Sequence, residues 1–210
     1  MHEIKKDAFY DLVKKYDSDS ENHYVGEVRY YLLSDDRPYE GMKSHREALR
    51  FVFDNLLEKS TEHDEEAGKA QGGKNDSVLY PLSFDIGKAR AVLLDPRVFL
   101  YCPKIVKTDY YGNTFYDAGW RPDDDNIGTS VPYWYALMEP VYGRKNRPED
   151  FEIVNGVLFP GPVEELDVYE WTTDWSDYFD DGHEWYGASC WSVYDRSMNR
   201  YAVMLVSSTD

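Results

Sequence analysis

The sequence has few cysteines and no long apolar run. Its 210 residues include two cysteines, Cys102 and Cys190, and neither has a second cysteine at CxxC spacing. We therefore expect two reduced, buried thiols in a reducing compartment. No apolar run approaches the roughly 18 residues of a membrane span, and residues 1–6 lead into an amphipathic pattern without a signal-peptide core. The sequence predicts a cytoplasmic protein with no membrane partner.

Motifs that carry chemistry are also missing. The sequence contains no G-x-S-x-G, G-x-G-x-x-G, P-loop or H-E-x-x-H pattern, so it gives no sign of a serine nucleophile, a dinucleotide, a nucleotide phosphate or a catalytic zinc. The five histidines are scattered, and we expect each to be a surface residue or a hydrogen-bonded one. The sequence favours a protein that is not an enzyme and that has no cofactor.

Basic residues are missing from one long stretch. No Lys or Arg occurs between Arg147 and Arg196. Residues 149–210 carry 2 basic and 14 acidic side chains, a charge of −12 within a chain of net charge −17, whereas residues 77–148 carry +1. Because a phosphate backbone would be repelled, direct binding to nucleic acid is disfavoured. A basic protein partner would be attracted.

Aromatic residues are abundant in that same acidic stretch. Disordered acidic tails are poor in aromatics, so this one is expected to be folded, with its rings facing the core or a binding surface. Without local cations its carboxylates repel one another until a cation or a basic protein relieves them. The predicted binding face comprises Glu170, Trp171, Asp174, Trp175, Asp177, Tyr178, Asp180, Asp181, Glu184 and Trp185.

This composition favours a non-enzymatic protein that binds a basic partner. Acidic groups would speed association and the rings would supply buried contacts. A bacterial immunity protein that neutralises a nuclease-type toxin has this physical character, because such toxins are cationic. The sequence does not indicate an oligomeric state.

Two other interpretations of the same segment are open. Carboxylates beside tryptophans can form a carbohydrate-active or sugar-binding site if two acids face each other across a pocket, and the candidates are Glu170, Asp174 and Glu184. A divalent metal could also relieve the repulsion, and the candidate ligands are Asp177, Asp180, Asp181, His183 and Glu184.

The periodicity of apolar residues predicts an α+β fold in one domain spanning residues 1–210. It predicts N-terminal amphipathic helices over residues 3–16 and from a Ser44/Glu47 capping box to about Lys59, followed by a flexible loop over residues 60–77. We expect these helices to pack on a mainly antiparallel sheet.

Short strands are predicted over much of the rest of the chain. They include residues 25–33, 89–94, 98–101 and 168–171, and candidate hairpins at 105–116 and 151–159. A C-terminal hairpin, Ala188–Tyr194 with Tyr201–Val206, should lie at the centre of the sheet because its last strand is apolar on both faces.

Overall fold

The computed structural model describes most of the chain. The described residues are 1–16, 24–70, 82–118, 120, 130–141, 144–184 and 186–208, with residues 62–70 described by their backbone alone. The helices are α1 Ala8–Val13, α2 Met42–Ala70, α3 Pro96–Phe99, α4 Tyr133–Met138, α5 Pro148–Leu158 and α6 Asp180–Glu184. The strands are β1 His2–Glu3, β2 Tyr24–Val25, β3 Val28–Ser34, β4 Ala91–Leu94, β5 Ile105–Thr108, β6 Thr114–Tyr116, β7 Leu166–Trp171, β8 Gly187–Asp195 and β9 Arg200–Ser208.

Seven of these strands form one antiparallel sheet. Its order is β1-β3-β9-β8-β7-β4, with β2 also paired to β3, while β5 and β6 form a separate hairpin. The predicted α+β class and the central C-terminal hairpin β8–β9 are both confirmed.

The alternation of β9 supplies two cores, one on each face of the sheet. Ala202, Met204 and Val206 join one core with α1, α4 and α5. Val203 and Leu205 point the other way and join a second core beneath α2. All five side chains are at most 2% exposed. The two N-terminal helices therefore cover opposite faces of the sheet.

The two N-terminal helices differ from the prediction in their bounds. The first helix begins at Ala8, because the Asp7 carboxylate accepts a hydrogen bond from the Phe9 N–H at 2.8 Å and caps the helix. Ahead of it, β1 pairs with β3.

The second helix was expected to start at a capping box. It begins two residues before Ser44, whose hydroxyl accepts a hydrogen bond from the Glu40 N–H at 2.9 Å. It also continues to Ala70, so residues 60–70 of the predicted loop are helical. Residues 71–77 of that loop lie outside the described residues.

Two predicted strand regions are helices. Residues 98–101 were predicted as a strand, but Asp95 and Pro96 supply an N-cap and a first-turn proline for α3. The predicted hairpin at 151–159 is wrong because Asn155-Gly156 lies inside α5. The Asn155 amide is buried there and accepts a hydrogen bond from the Tyr133 hydroxyl at 2.9 Å. The predicted hairpin at 105–116 is confirmed as β5–β6.

A glycine is required at position 26, in the turn between β2 and β3, both by the backbone conformation and by the lack of room for a side chain. Its φ is +61°, and a Cβ there would lie 2.3 Å from the Leu137 carbonyl oxygen. The neighbouring Glu27 N–H donates to the Ala136 carbonyl at 2.9 Å, which holds α4 against this turn. Any side chain at position 26 must displace the backbone of α4.

We predict that Gly26→Ala lowers the free energy of unfolding by about 3 kcal/mol or more, the sum of left-handed strain and overpacking. Gly41→Ala is the matched control, since Gly41 has φ +62° with no atom near its Cβ position. This control should cost only about 1 kcal/mol, the left-handed strain alone. Urea denaturation of both variants measures the difference in the free energy of unfolding. Equal losses in the two variants would contradict the close approach of Gly26 to the backbone of α4.

Candidate functional site

Two of the three tryptophans of the predicted binding face, Trp171 and Trp175, are part of the core. Trp171 and Trp175 are each 3% exposed. The Trp171 indole N–H donates to the Ser192 hydroxyl at 2.8 Å. The Trp175 ring meets Phe53 of α2 edge to face at 4.5 Å, and its indole N–H donates to the Thr172 carbonyl. These rings anchor the segment and are not available to contact a partner.

The predicted binding face has two other aromatic residues, Tyr178 and Trp185. Tyr178 is half-buried, its ring meets Phe53 at 5.7 Å, and burial raises the pKa of its hydroxyl well above the ordinary value. It therefore carries no charge at neutral pH. Trp185 lies outside the described residues.

The carboxylates of the same segment face solvent. We call residues 174–184 the acidic segment. Its five exposed acids are Asp174, Asp177, Asp180, Asp181 and Glu184. Asp177 accepts two hydrogen bonds from the Ser83 N–H, at 2.9 Å to each oxygen, and Asp174 forms an ion pair with Arg90 at 3.5 Å. Within the described part of the chain, that pair is the one ion pair made by these five acids.

The acidic segment is attached to the core at several points. Phe179 is fully buried between Phe53 and Trp175. Ser176 caps the 3₁₀ turn Asp177–Phe179, because its hydroxyl accepts a hydrogen bond from the Tyr178 N–H. At Gly182 a Cβ would lie 2.6 Å from the Gly187 carbonyl oxygen, so α6 sits directly on the backbone of the central hairpin.

A hydrogen bond also joins this segment to the last strand. The Gly182 N–H donates to the Ser207 hydroxyl at 3.2 Å. Because the apolar residues and Gly182 fix the backbone, the carboxylates are presented on a preformed surface.

Glu170 is separated from the acidic segment by the sheet. Side chains alternate along β7, so Val168 and Glu170 face one core while Tyr169 and Trp171 face the other. Glu170 accepts a hydrogen bond from the Ser130 hydroxyl at 2.7 Å. The period-two pattern of β7 could have predicted that Glu170 and Trp171 lie on opposite faces.

Glu170 lines a cleft that sequence analysis missed. The cleft has a volume of about 780 Å³, and its walls are mainly aromatic and aliphatic. Asp117 contributes a second carboxylate, which accepts hydrogen bonds from the Tyr101 hydroxyl and the Lys104 N–H. Asp174 and Glu184 are not among its lining residues. The walls come from elements far apart in sequence, so no local motif marks them: Leu94, Phe99, Tyr101, Trp120, Tyr133, Trp134 and Trp191.

The metal-ligand candidates do not converge. Over the described residues, which include all five candidates, no group of three or more His, Cys, Asp or Glu side chains is arranged to hold an ion. His183 instead lies 2.7 Å from the Thr173 hydroxyl.

His45 is a buried histidine within a polar network in the second core. It is 0% exposed, its Nδ1 lies 2.8 Å from the Ser192 hydroxyl, and its Nε2 lies 3.0 Å from the Tyr39 hydroxyl. Burial lowers the pKa of His45 to about 3, with Asp167 opposing and Arg196 assisting that shift. Ser192 is itself fully buried, so the Ser192–His45 pair has no access to a substrate. The expectation of a satisfied histidine holds here.

Comparisons of the chain with protein-family models, curated proteins and solved structures found no match. Among the described helices, none has both the length and the apolar composition that a membrane span needs. The functional argument therefore depends on the geometry of this chain.

The buried neutral His45 predicts a pH dependence of stability. The unfolded chain binds a proton at an ordinary histidine pKa, whereas the folded chain does not until about pH 3. Stability therefore falls as the pH drops below 6.5, by about 2 kcal/mol from this group between pH 6.5 and 5. Urea unfolding at each pH should show a shallower loss for His45→Gln than for the unsubstituted chain.

The control for that measurement is His183→Gln, which removes an exposed histidine. It should retain the full pH dependence. If His45→Gln and the unsubstituted chain lost stability in parallel across this range, the folded state would hold the proton on His45.

Proposed function

We propose that this chain is a non-enzymatic binding protein whose acidic segment docks a basic protein. The observation that carries the proposal is the arrangement of residues 174–184, in which exposed carboxylates surround a buried aromatic anchor. Arg90 neutralises Asp174, but Asp180, Asp181 and Glu184 make no ion pair with any described residue. Three neighbouring carboxylates on a fixed backbone can meet the basic side chains of a protein partner with little ordering cost.

Long-range electrostatics support the same partner class. The chain has a net charge of −17, of which residues 149–210 carry −12. A cationic protein is therefore attracted from a distance and oriented toward this segment, which increases the association rate and makes it depend on salt. Because Trp171 and Trp175 are in the core, charge provides more of the specificity than aromatic contacts do.

The biological role that fits this physics is that of a bacterial immunity protein. A nuclease-type toxin must be cationic to bind nucleic acid. A rigid acidic surface competes for the same positive groups and would block them. The toxin-neutralising role is an inference from charge and shape, and it depends on the basic-partner proposal.

A small-ligand function is the second candidate, favoured by the cleft that contains Glu170. An aromatic-walled cleft of about 780 Å³ with two carboxylates could hold a sugar or another small polar ligand. The two functions use different surfaces. Glu170→Gln should weaken ligand binding in the cleft and leave the binding of a basic protein unchanged.

The basic-partner proposal predicts the effect of charge reversal in α6. The probe is a cationic nuclease domain sought among the products of the adjacent genes and made catalytically inactive, with cytochrome c as an unrelated cationic protein. Asp180→Lys combined with Asp181→Lys should weaken binding of the nuclease domain by about tenfold or more, mainly through a slower association rate. Stopped-flow mixing at low and physiological salt measures that rate.

The matched control reverses two exposed acids elsewhere, Asp54→Lys with Glu58→Lys on α2. This variant has the same net charge as the α6 variant, so its association rate should fall only by the small contribution of long-range attraction. Equal losses in both variants, or an association rate that ignores salt, would refute docking at the acidic segment. Equally tight binding of cytochrome c would refute specificity for the nuclease domain.

A further inference from the structure

Exposed apolar side chains are concentrated in one short stretch of this chain. Of the eleven large hydrophobic side chains that are exposed in the described residues, eight lie between positions 92 and 111. Scattered single apolar residues are normal on a surface, so a concentration of them in one short stretch singles out this part of the chain. The eight are Val92, Leu93, Val98, Tyr101, Ile105, Val106, Tyr110 and Tyr111.

The first two of these residues belong to an edge strand. Among the described residues, β4 is the last strand of the sheet, and it pairs with β7 on one side. Its sequence, Ala-Val-Leu-Leu, contains no charge and no proline, the features by which natural edge strands avoid pairing. Val92 and Leu93 point to opposite faces of the sheet, and both are more than 60% exposed.

The backbone of β4 has hydrogen-bonding groups directed outward. The Thr172 N–H donates to the Arg90 carbonyl at 2.8 Å, so residue 90 faces β7. Because the direction alternates along an antiparallel strand, Val92 and Leu94 also bond toward β7. The N–H and C=O groups of Ala91 and Leu93 then point to the opposite edge, where no described strand pairs with β4.

We propose that this edge binds a second copy of the same chain, β4 against β4 in antiparallel orientation. A two-fold axis normal to the sheet leaves each face of the sheet on the same side in both copies. Each residue of β4 must therefore pair with a residue whose side chain points to the same face. The register that uses the outward groups pairs Ala91 with Leu93 of the second copy, and Leu93 with its Ala91. It forms four backbone hydrogen bonds and sets the two Val92 side chains against each other.

The distribution of charge favours a second copy at this edge over other parts of the surface. Two chains of net charge −17 repel each other, and the repulsion is smallest where the local charge is near zero. Strand β4 lies in the segment 77–148, which carries +1. At its start, Arg90 pairs with Asp174 and reduces the negative charge closest to the edge.

The edge is also self-complementary. In an isologous contact the same surface patch of each chain faces its own copy. An uncharged strand meets no like charge when it faces its copy. The pairing joins two seven-stranded sheets into one and buries both Val92 side chains. The α6 acids that the basic-partner test reverses are not part of the paired edge, so this proposal stands or fails independently of the basic-partner proposal.

The oligomeric state of the full chain tests the proposal. Sedimentation equilibrium at micromolar concentration and physiological salt should give twice the mass of one chain. Val92→Lys places two lysines face to face at the axis, and Leu93→Pro removes an outward N–H that β7 does not use. Each should shift the chain to the monomer, with at least a tenfold rise in the dimer dissociation constant.

The control is Ile153→Lys, which adds the same charge at an apolar side chain, 51% exposed, on α5. It should remain dimeric. Hydrogen exchange needs no variant, since the amides of Ala91 and Leu93 should become slower to exchange as protein concentration rises. A monomeric unsubstituted chain would overturn the proposal, as would a dimer that survives Val92→Lys or concentration-independent exchange at both amides.

Discussion

The burial of β9 on both of its faces is the constraint on which the rest of the structure depends. Its side chains alternate between two cores, and β3 and β8 satisfy its backbone on either side. A strand in that position cannot slip in register, since a shift of one residue would exchange the two sets of side chains. Helices α1, α4 and α5 are thereby assigned to one face and α2 to the other.

The position of the acidic segment is determined by the second core. Trp171, Trp175 and Phe179 enter that core, and Gly182 lets α6 lie directly on the central hairpin. Like-charge repulsion among the exposed acids is then opposed mainly by apolar burial, because Arg90 is the one counterion that pairs with these acids within the described residues. A surface of this kind keeps unsatisfied negative charge in a fixed arrangement, which is a property suited to binding a cationic protein.

Short apolar runs separated by turn residues were sufficient to predict several strands. The α+β class, the central hairpin and β5–β6 were predicted correctly, and β8 and β9 in particular are long apolar runs that are buried on both faces. Residues 98–101 and 151–159 were predicted as strand and hairpin, because their helix signals, Pro96 and Pro148, precede them and were outweighed by local apolar runs. Asn155-Gly156 resembles a turn, yet the Asn155 amide is needed inside the core.

The candidate site was predictable in charge but not in geometry. Composition located the acids. The separation of Glu170 from Asp174, in contrast, depends on the face of the sheet to which each side chain of β7 points. The cleft depends on contacts between distant elements. Attachment to the core is what makes the acidic segment a preformed surface. Native-state hydrogen exchange at Gly182, whose N–H bonds to Ser207, measures that attachment. The opening free energy at Gly182 should approach that of β9 amides, whereas exchange at the rate of an unprotected peptide would mean that the segment is not preformed.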